Sequence, residues 1–308
     1  MPRLALITAI DSATCDQDLM PLRLACAATG LQADCLAWDD PTVSWSRYDA
    51  VLLRSPWNYT QYHPQFMAWC RRVAENSLLL NPLPVVQWNA DKHYLSDLGA
   101  DGLPVIPTRF IECDDDPLPA LQEFLRDEAI EEFVVKPAIS AGARDTQRYA
   151  RSQEFAASNQ IARLQLDQRG VLLQPYLARV DAEGETALVY LHGRFSHAIR
   201  KGPLLATNGA DVGAAGQEDI SPRTPSADEL DLGRRALEWV EKRFGLDLPL
   251  TYARVDMLRD AGASARLLEL ELVEPSLFLT HAPQAIEPFA RDLASRLRDT
   301  SAAAVSRN

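Results

Sequence analysis

The chain has 308 residues, 47% apolar and 24% charged, with a formal net charge of −12. That length suits two or three core-bearing units of ordinary globular composition. So acidic a balance repels nucleic-acid phosphates, and no lysine or arginine cluster is long enough to form a separate basic face. No apolar run approaches the roughly 18 residues of a membrane span. The first residues lack a signal peptide's long apolar core, so the default expectation is a cytoplasmic protein. Five cysteines without a CxxC predict reduced thiols rather than a disulfide framework or zinc site. The histidines form no HExxH and the chain has no GxSxG, so neither a zinc protease nor a serine hydrolase is supported.

In chain order, Leu4 to Thr8 reads as a strand, and Leu19 to Thr29 as a helix stopped by Gly30. Gln32 to Ala37 and the apolar run Asp49 to Arg54 read as further strands, the second buried as parallel strands are. A helix follows at Gln65 to Ala74. This pattern predicts an open α/β unit, in which ligands sit beyond the carboxyl ends of the strands, where Arg54-Ser-Pro-Trp57-Asn58-Tyr59 lies. Asn81-Pro-Leu-Pro84 reads as a linker, and Asn89-Ala-Asp91-Lys92 opens a short helix. A strand near Thr108 to Ile111, a helix near Leu118 to Arg126 and a strand at Phe133 to Lys136 come next. A loop of small residues, 137–146, precedes a further strand, helix and strand ending at Gln174. Ala187 to Leu191 and Arg194 to Arg200 predict a hairpin about His192-Gly193. Leu205 to Arg223 reads as a mobile loop. A helix at Asp228 to Phe244, two strands carrying carboxylates and a helix near Ala285 to Leu297 complete the chain, before a disordered tail at Ser301 to Asn308.

The chemistry concentrates at strand ends. Lys136 closes the apolar run Phe133-Val-Val-Lys136, while Asp256, Glu269 and Glu271 lie on two later apolar strands. One cation and three carboxylates suit a nucleoside triphosphate and its magnesium, because lysine neutralises phosphate oxygens and carboxylates hold hard cations. Glu269 and Glu271, two residues apart on a strand, point to one face. There is no GxxxxGK[ST] and no GxGxxG, so the nucleotide must be held by other means. Lys92, Arg144, Arg200 and Lys201 are further local cations. Lys92 in a first helical turn opposes the helix dipole, which favours a phosphate partner. Arg54 could hold a substrate carboxylate, with Trp57, Asn58 and Tyr59 shaping a pocket. An edge lysine, a solvated acidic stripe and simple loop packing are the competing readings of these same residues.

The order Asp91-Lys92, Val134-Val-Lys136-Pro137, small-residue loop, Leu172-Leu-Gln174-Pro-Tyr176-Leu177, Arg254-Val-Asp256 and Glu269-Leu-Glu271 resembles the ATP-grasp superfamily over nearly the whole chain. Within it, Arg54 to Tyr59, Trp88 to Lys92, Lys136 to Arg144, Phe195 to Lys201 and Glu271 to Phe278 are similar to the glutathione synthetase branch, and nearest to the cycloserine synthetase type. The resemblance implies an α/β and α+β architecture. An N-terminal open α/β domain (1–88) would precede a small (89–177) and a large (178–300) α+β subdomain that clamp ATP, with 301–308 as a tail.

The resemblance also implies roles. Lys92 and Lys136 would contact phosphates, and Gly142 and Arg144 would belong to a lid whose backbone N–H groups approach anions. Gln174, Tyr176 and Leu177 would form the adenine-reading hinge, although many relatives carry an acid where Gln174 stands. Glu185, or else Glu183, would take the ribose. Asp256, Glu269 and Glu271 would hold magnesium, two ions in all, with Glu271 replacing the usual asparagine. Arg200 and Arg254 would stabilise the transferring phosphoryl group and acyl intermediate, and Ser276 would touch substrate. The implied activity is an ADP-forming carbon–nitrogen ligase acting through an acyl phosphate on a small amino-acid-like carboxylate. Cycloserine synthetase does this within one molecule, on O-ureido-D-serine. Joining a separate amine, or binding nucleotide without catalysis, are the alternatives. A homodimer is an expectation at the level of the family.

Overall fold

A computed structural model describes residues 1–127, 130–205 and 219–305, with 300–305 as helix backbone only. The first part of the chain contains β1 (Arg3–Thr8), α1 (Leu19–Ala28), β2 (Gln32–Ala37), β3 (Ala50–Ser55), α2 (His63–Ala74) and β4 (Leu78–Leu80). The four strands pair in parallel in the order β2-β1-β3-β4. Both faces are covered, so β1 and β3 are apolar almost throughout. Alternation sorts their side chains. Leu4, Leu6 and Leu52 pack toward α1, whereas Ala5, Ile7, Val51 and Leu53 pack toward α2 and the aromatic group of Trp38, Phe66 and Trp69.

The segment expected to be a linker is structured. α3 (Leu83–Asn89) begins inside it and is followed by α4 (Tyr94–Ala100). Next come β5 (Arg109–Ile111), α5 (Pro117–Phe124), β6 (Glu132–Pro137), β7 (Gln147–Ala150), α6 (Glu154–Leu166) and β8 (Val171–Pro175). These strands form an antiparallel sheet in the order β5-β8-β6-β7. Phe133, Val135, Val171 and Leu173 pack under α5 and α6. The alternate positions Val134, Lys136 and Gln174 line a cavity on the other face.

The remainder comprises α7 (Val180–Glu183), β9 (Glu185–Leu191), β10 (Arg194–Lys201), β11 (Ile220–Pro222), α8 (Ala227–Phe244), β12 (Tyr252–Arg259), β13 (Ala265–Glu271) and α9 (Ile286–Val305). Their sheet is antiparallel, in the order β11-β10-β9-β12-β13. The β9–β10 hairpin turns through His192 and Gly193, both at positive φ, as a two-residue turn matched to strand twist requires. A β-carbon on Gly193 would also lie 2.7 Å from Pro249. α8 starts with a capping box, in which the Ser226 N–H donates to Glu229 at 2.8 Å. It covers the face bearing Leu188, Ala253 and Val255.

Three sequence expectations change here. Asn81, expected in a linker, is fully buried. Its amide donates to Tyr252 O (3.0 Å) and Leu272 O (2.9 Å) and accepts from Thr251 N (2.8 Å). Asn89 likewise donates to Leu270 O and accepts from Leu272 N, both at 2.7 Å, satisfying backbone groups at and just beyond the end of β13. Part of the expected mobile loop, 220–222, is β11, while 206–218 lie outside the described residues. The expected tail is helical as far as Val305. α9 also packs beside α1, against Leu4, Leu6 and Tyr252, and not only against the unit that precedes it. No helix among the described residues is long and apolar enough to cross a membrane.

Candidate active site

A cavity of about 780 Å³ opens between the face of β6 and β8 and the face of β9, β10, β12 and β13. Register places its charges. Asp256 stands opposite Glu269, and Arg254 opposite Glu271, across β12 and β13. Lys201 stands opposite Glu185 across β10 and β9. Lys136 comes from the end of β6, and Lys92 from the turn before α4.

Each of these acids is bound to a cation. Arg254 grips Asp256 by two nitrogens at 2.9 Å, contacts Glu271, and donates to Ser276 O at 3.1 Å. Lys201 Nζ lies 2.9 Å from Asp256 Oδ2 and touches Glu185. Lys92 Nζ is 2.8 Å from Glu269 Oε1 and donates to Ser140 O at 2.8 Å. Lys136 has no ion pair among the described residues.

The ionisation of these groups follows from burial set against neighbouring charge. Burial pulls Lys136 down to about 8, despite Glu269, and Lys92 opposes its charge further. Burial also disfavours the Lys92 ammonium, but Glu269 overrides this and raises it. Asp256 and Glu269 are pressed upward by burial yet end below the usual carboxylate range, held by Arg254 and Lys201 and by Lys92 and Lys136 respectively. Glu185 and Glu271 go the other way. Burial, with Asp256 adding to it, outweighs Lys201 and Arg254.

The loop between β6 and β7 holds Gly142, Ala143 and Asp145 at positive φ, so the chain winds tightly at the cavity rim. Arg144 is exposed there and lines the cavity without an ion pair among the described residues. At the far end, Gln174 Nε2 donates to Thr108 Oγ1 at 2.9 Å. The Tyr176 ring packs beneath Arg148 at 3.5 Å, and its hydroxyl bonds Asp181. The Tyr176 N–H is taken by Glu132 O at 2.8 Å. No backbone acceptor among the described residues meets the Leu177 N–H, and Leu177 lines the same cavity as Ile106, Val134 and Leu268.

The structure brings Lys92, Lys136, Gly142, Arg144, Gln174, Tyr176, Leu177, Glu185, Arg254, Asp256, Glu269, Glu271, Trp57, Asn58 and Ser276 to one cavity. It does not bring Arg200, Arg54 or Tyr59 into the lining. Arg200 alternates with Lys201 on β10, so it points away, to Asp219 Oδ2 (3.0 Å) and Glu183 O (3.0 Å). Lys201 takes the inward position. Arg54 is fully buried and donates to Pro275 O at 3.0 Å. With Asp18, which accepts from Leu277 N (3.0 Å) and Leu279 N (2.8 Å), it braces the loop 275–279 from behind. Tyr59 is buried beside Glu274. Glu185, expected at a ribose, sits against Lys201 and Asp256. Glu183 engages Arg179 instead. Asn58 is fixed by Trp38 (2.7 Å) and Asp39 (2.9 Å).

Sequence reasoning counted Lys201 among the local cations but gave the catalytic role to its neighbour Arg200, and it missed Glu274. The parity of β10 relative to Glu185 was the available signal for the first. A third acid spaced after Glu269 and Glu271, in an apolar run before proline, was the signal for the second.

The donor set fits a hard divalent cation. Asp256, Glu269 and Glu271 present only carboxylate oxygen, side by side on adjacent strands. Among the described residues no three acids share a single centre, since each is turned to a protein cation.

Residues 4–81 match a family model described as the N-terminal domain of D-cycloserine synthetase DcsG. Over 297 residues the chain is 43% identical to cycloserine biosynthesis protein DcsG of Streptomyces lavendulae, spanning 96% of this chain and 99% of that protein. The crystal structure of D-cycloserine synthetase DcsG superposes with a TM-score of 0.91 at 41% identity, over 96% of this chain and 99% of that one. The fold is shared more distantly with the ATP-grasp ligase PsnB, solved with a phosphomimetic variant of its minimal precursor, Mg and ADP. There the TM-score is 0.63 at 18% identity, over 96% of this chain and 98% of that one.

Proposed function

The chain belongs to the D-cycloserine synthetase family of ATP-grasp ligases, and we propose that its cavity binds MgATP and closes O-ureido-D-serine into an isoxazolidinone ring. The observation that carries this reading is the convergence of Lys92, Lys136, Lys201 and Arg254 with Asp256, Glu269 and Glu271 in one cavity between two sheets. Adenine lies at the Leu177 N–H, between the apolar side chains of Ile106, Val134 and Leu268. Lys92 and Lys136 reach the phosphates from one wall, and the loop around Gly142 covers them with its backbone N–H groups. Asp256, Glu269 and Glu271 would hold magnesium, two ions on this reading, which would supply positive charge against the phosphate oxygens.

A carboxylate is a poor electrophile with a poor leaving group. Its oxygen attacks the γ-phosphorus, the bond to the ADP oxygen breaks, and an acyl phosphate results. The substrate's own nitrogen then attacks the acyl carbon, inorganic phosphate departs, and the nitrogen loses a proton. Arg254 is placed to stabilise both steps, since its fork can exchange Asp256 and Glu271 for phosphoryl and acyl oxygens. Lys201 keeps Asp256 and Glu185 in place while it does so. The remaining contribution is orientation inside a closed site. The reading is tested by ADP release with MgATP and O-ureido-D-serine, with product masses read in the same sample. Equimolar ADP and cyclised product is the expected result. A protein that binds MgATP yet forms no ADP with this substrate would refute it.

A further inference from the structure

Glu274 is a cavity acid that neither the phosphate chemistry nor the metal set employs. It is 8% exposed and lines the cavity beside Trp57. Lys201, Arg254 and Lys92 pair with Glu185, Asp256, Glu269 and Glu271. No lysine or arginine nitrogen among the described residues stands at salt-bridge distance from Glu274. Its carboxylate lies beside the buried Tyr59, and its backbone carbonyl accepts from Trp57 Nε1 at 3.1 Å. The residue is therefore held in place without an ion-pair partner among the described residues. Burial, with Glu271 nearby, pushes its carboxyl up to about 8, which measures the cost of charging it there without a cation.

The guanidinium expected at this end, Arg54, is committed to Pro275 O behind the wall. The substrate end thus presents an acid where a cation was expected. Arg254 donates to Ser276 O, two residues beyond Glu274, and lines the same cavity. An amino acid carries one group for each of these charges.

Resting on the ligase reading above, we infer that Glu274 binds the substrate's ammonium group and thereby turns its carboxylate toward Arg254 and the phosphate-binding lysines. The substrate class narrows to small amino acids with a free primary ammonium. Deamino and N-acylated analogues leave Glu274 buried and unpaired, and are rejected for that reason. Tyr59 positions the carboxylate without touching substrate.

The test compares ADP release from the full chain with O-ureido-D-serine and with its deamino analogue, 3-(ureidooxy)propanoate, at saturating MgATP. The wild-type protein is expected to prefer the ammonium-bearing substrate by about 100-fold in kcat/KM. Glu274→Gln is expected to erase that preference through KM, with the KM for MgATP moved by less than about threefold. Tyr59→Phe keeps the Glu274 carboxyl group but removes the hydroxyl that positions it, and is expected to weaken the preference by about tenfold. Should Glu274→Gln fail to fold, Glu274→Asp retains the charge one methylene back and is expected to raise KM for O-ureido-D-serine alone. Equal losses on both substrates, or no wild-type preference, overturn the ammonium assignment while leaving the ligase reading intact. No ADP from the wild-type protein with either substrate overturns the ligase reading itself.

Discussion

Lys201→Met tests the electrostatic construction of the site. Lys201 is 8% exposed and its ammonium contacts two carboxylates, Glu185 and Asp256. After its removal Asp256 keeps Arg254, but Glu185 keeps no cation among the described residues. Removing one partner of a buried ion pair costs about 3–5 kcal/mol. At roughly 2 °C per kcal/mol for a chain this long, the melting temperature falls by about 6–10 °C. The loss depends on pH with a defined sign. Burial and Asp256 already raise Glu185 above its ordinary value of 4.5. The folded state therefore holds that proton more tightly than the unfolded state, and stability is lost as pH rises through the raised pKa. Without Lys201 the pKa rises further, so the deficit is expected to be largest near pH 9 and smallest near pH 6, where Glu185 is neutral. Thermal unfolding of both proteins at these pH values provides the assay, with ADP release alongside, expected to drop by about 100-fold. Wild-type melting temperatures at both pH values would refute the buried position of Lys201 between two acids.

Arg254→Ala is expected to lower kcat for ADP release by about 100- to 1,000-fold, whereas Arg200→Ala stays within about threefold; equal losses would put Arg200 at the reacting groups and refute its outward position on β10. Lys136 must be charged to hold phosphate, yet burial brings it down to about 8 in the free protein. MgATP affinity measured by calorimetry should therefore fall above that pH, approaching tenfold per unit, because binding then requires proton uptake. Lys136→Arg should flatten the profile, and a flat wild-type profile would exclude the assignment. Chelation of divalent cations should stop ADP release and added magnesium restore it. Glu269→Ala should not be rescued by magnesium, and normal turnover by that variant would remove Glu269 from the metal set. Asn89→Ala strips partners from Leu270 O and Leu272 N. It should lower unfolding stability by about 1–3 kcal/mol with little change in KM.

Much of the architecture is local in origin and could be read from the chain alone. Apolar runs such as Val51 to Leu53 announce buried parallel strands, His192-Gly193 announces a hairpin, and the alternation of Glu269 and Glu271 places both on one face. The ordered motifs from Lys92 to Glu271 likewise pointed to the family, because each motif sits at a strand end or turn where local pattern and chemistry coincide. Which of two adjacent or similar residues faces the cavity was decided by long-range register. Lys201 rather than Arg200 points inward because β10 pairs with β9 in one parity and not the other. Arg54 lies behind the wall because loop 275–279 folds back over it from more than two hundred residues away. Asn81 is a buried stitch rather than a linker residue, and Asn89, read as the opening of a helix, is a second, because β13 and the residue after it leave backbone groups that only a distant segment can satisfy. Glu274 stands without an ion-pair partner among the described residues for the same kind of reason. The pairing or isolation of a charge is set by what the tertiary fold brings within a few ångströms of it, and the local chain carries no record of that.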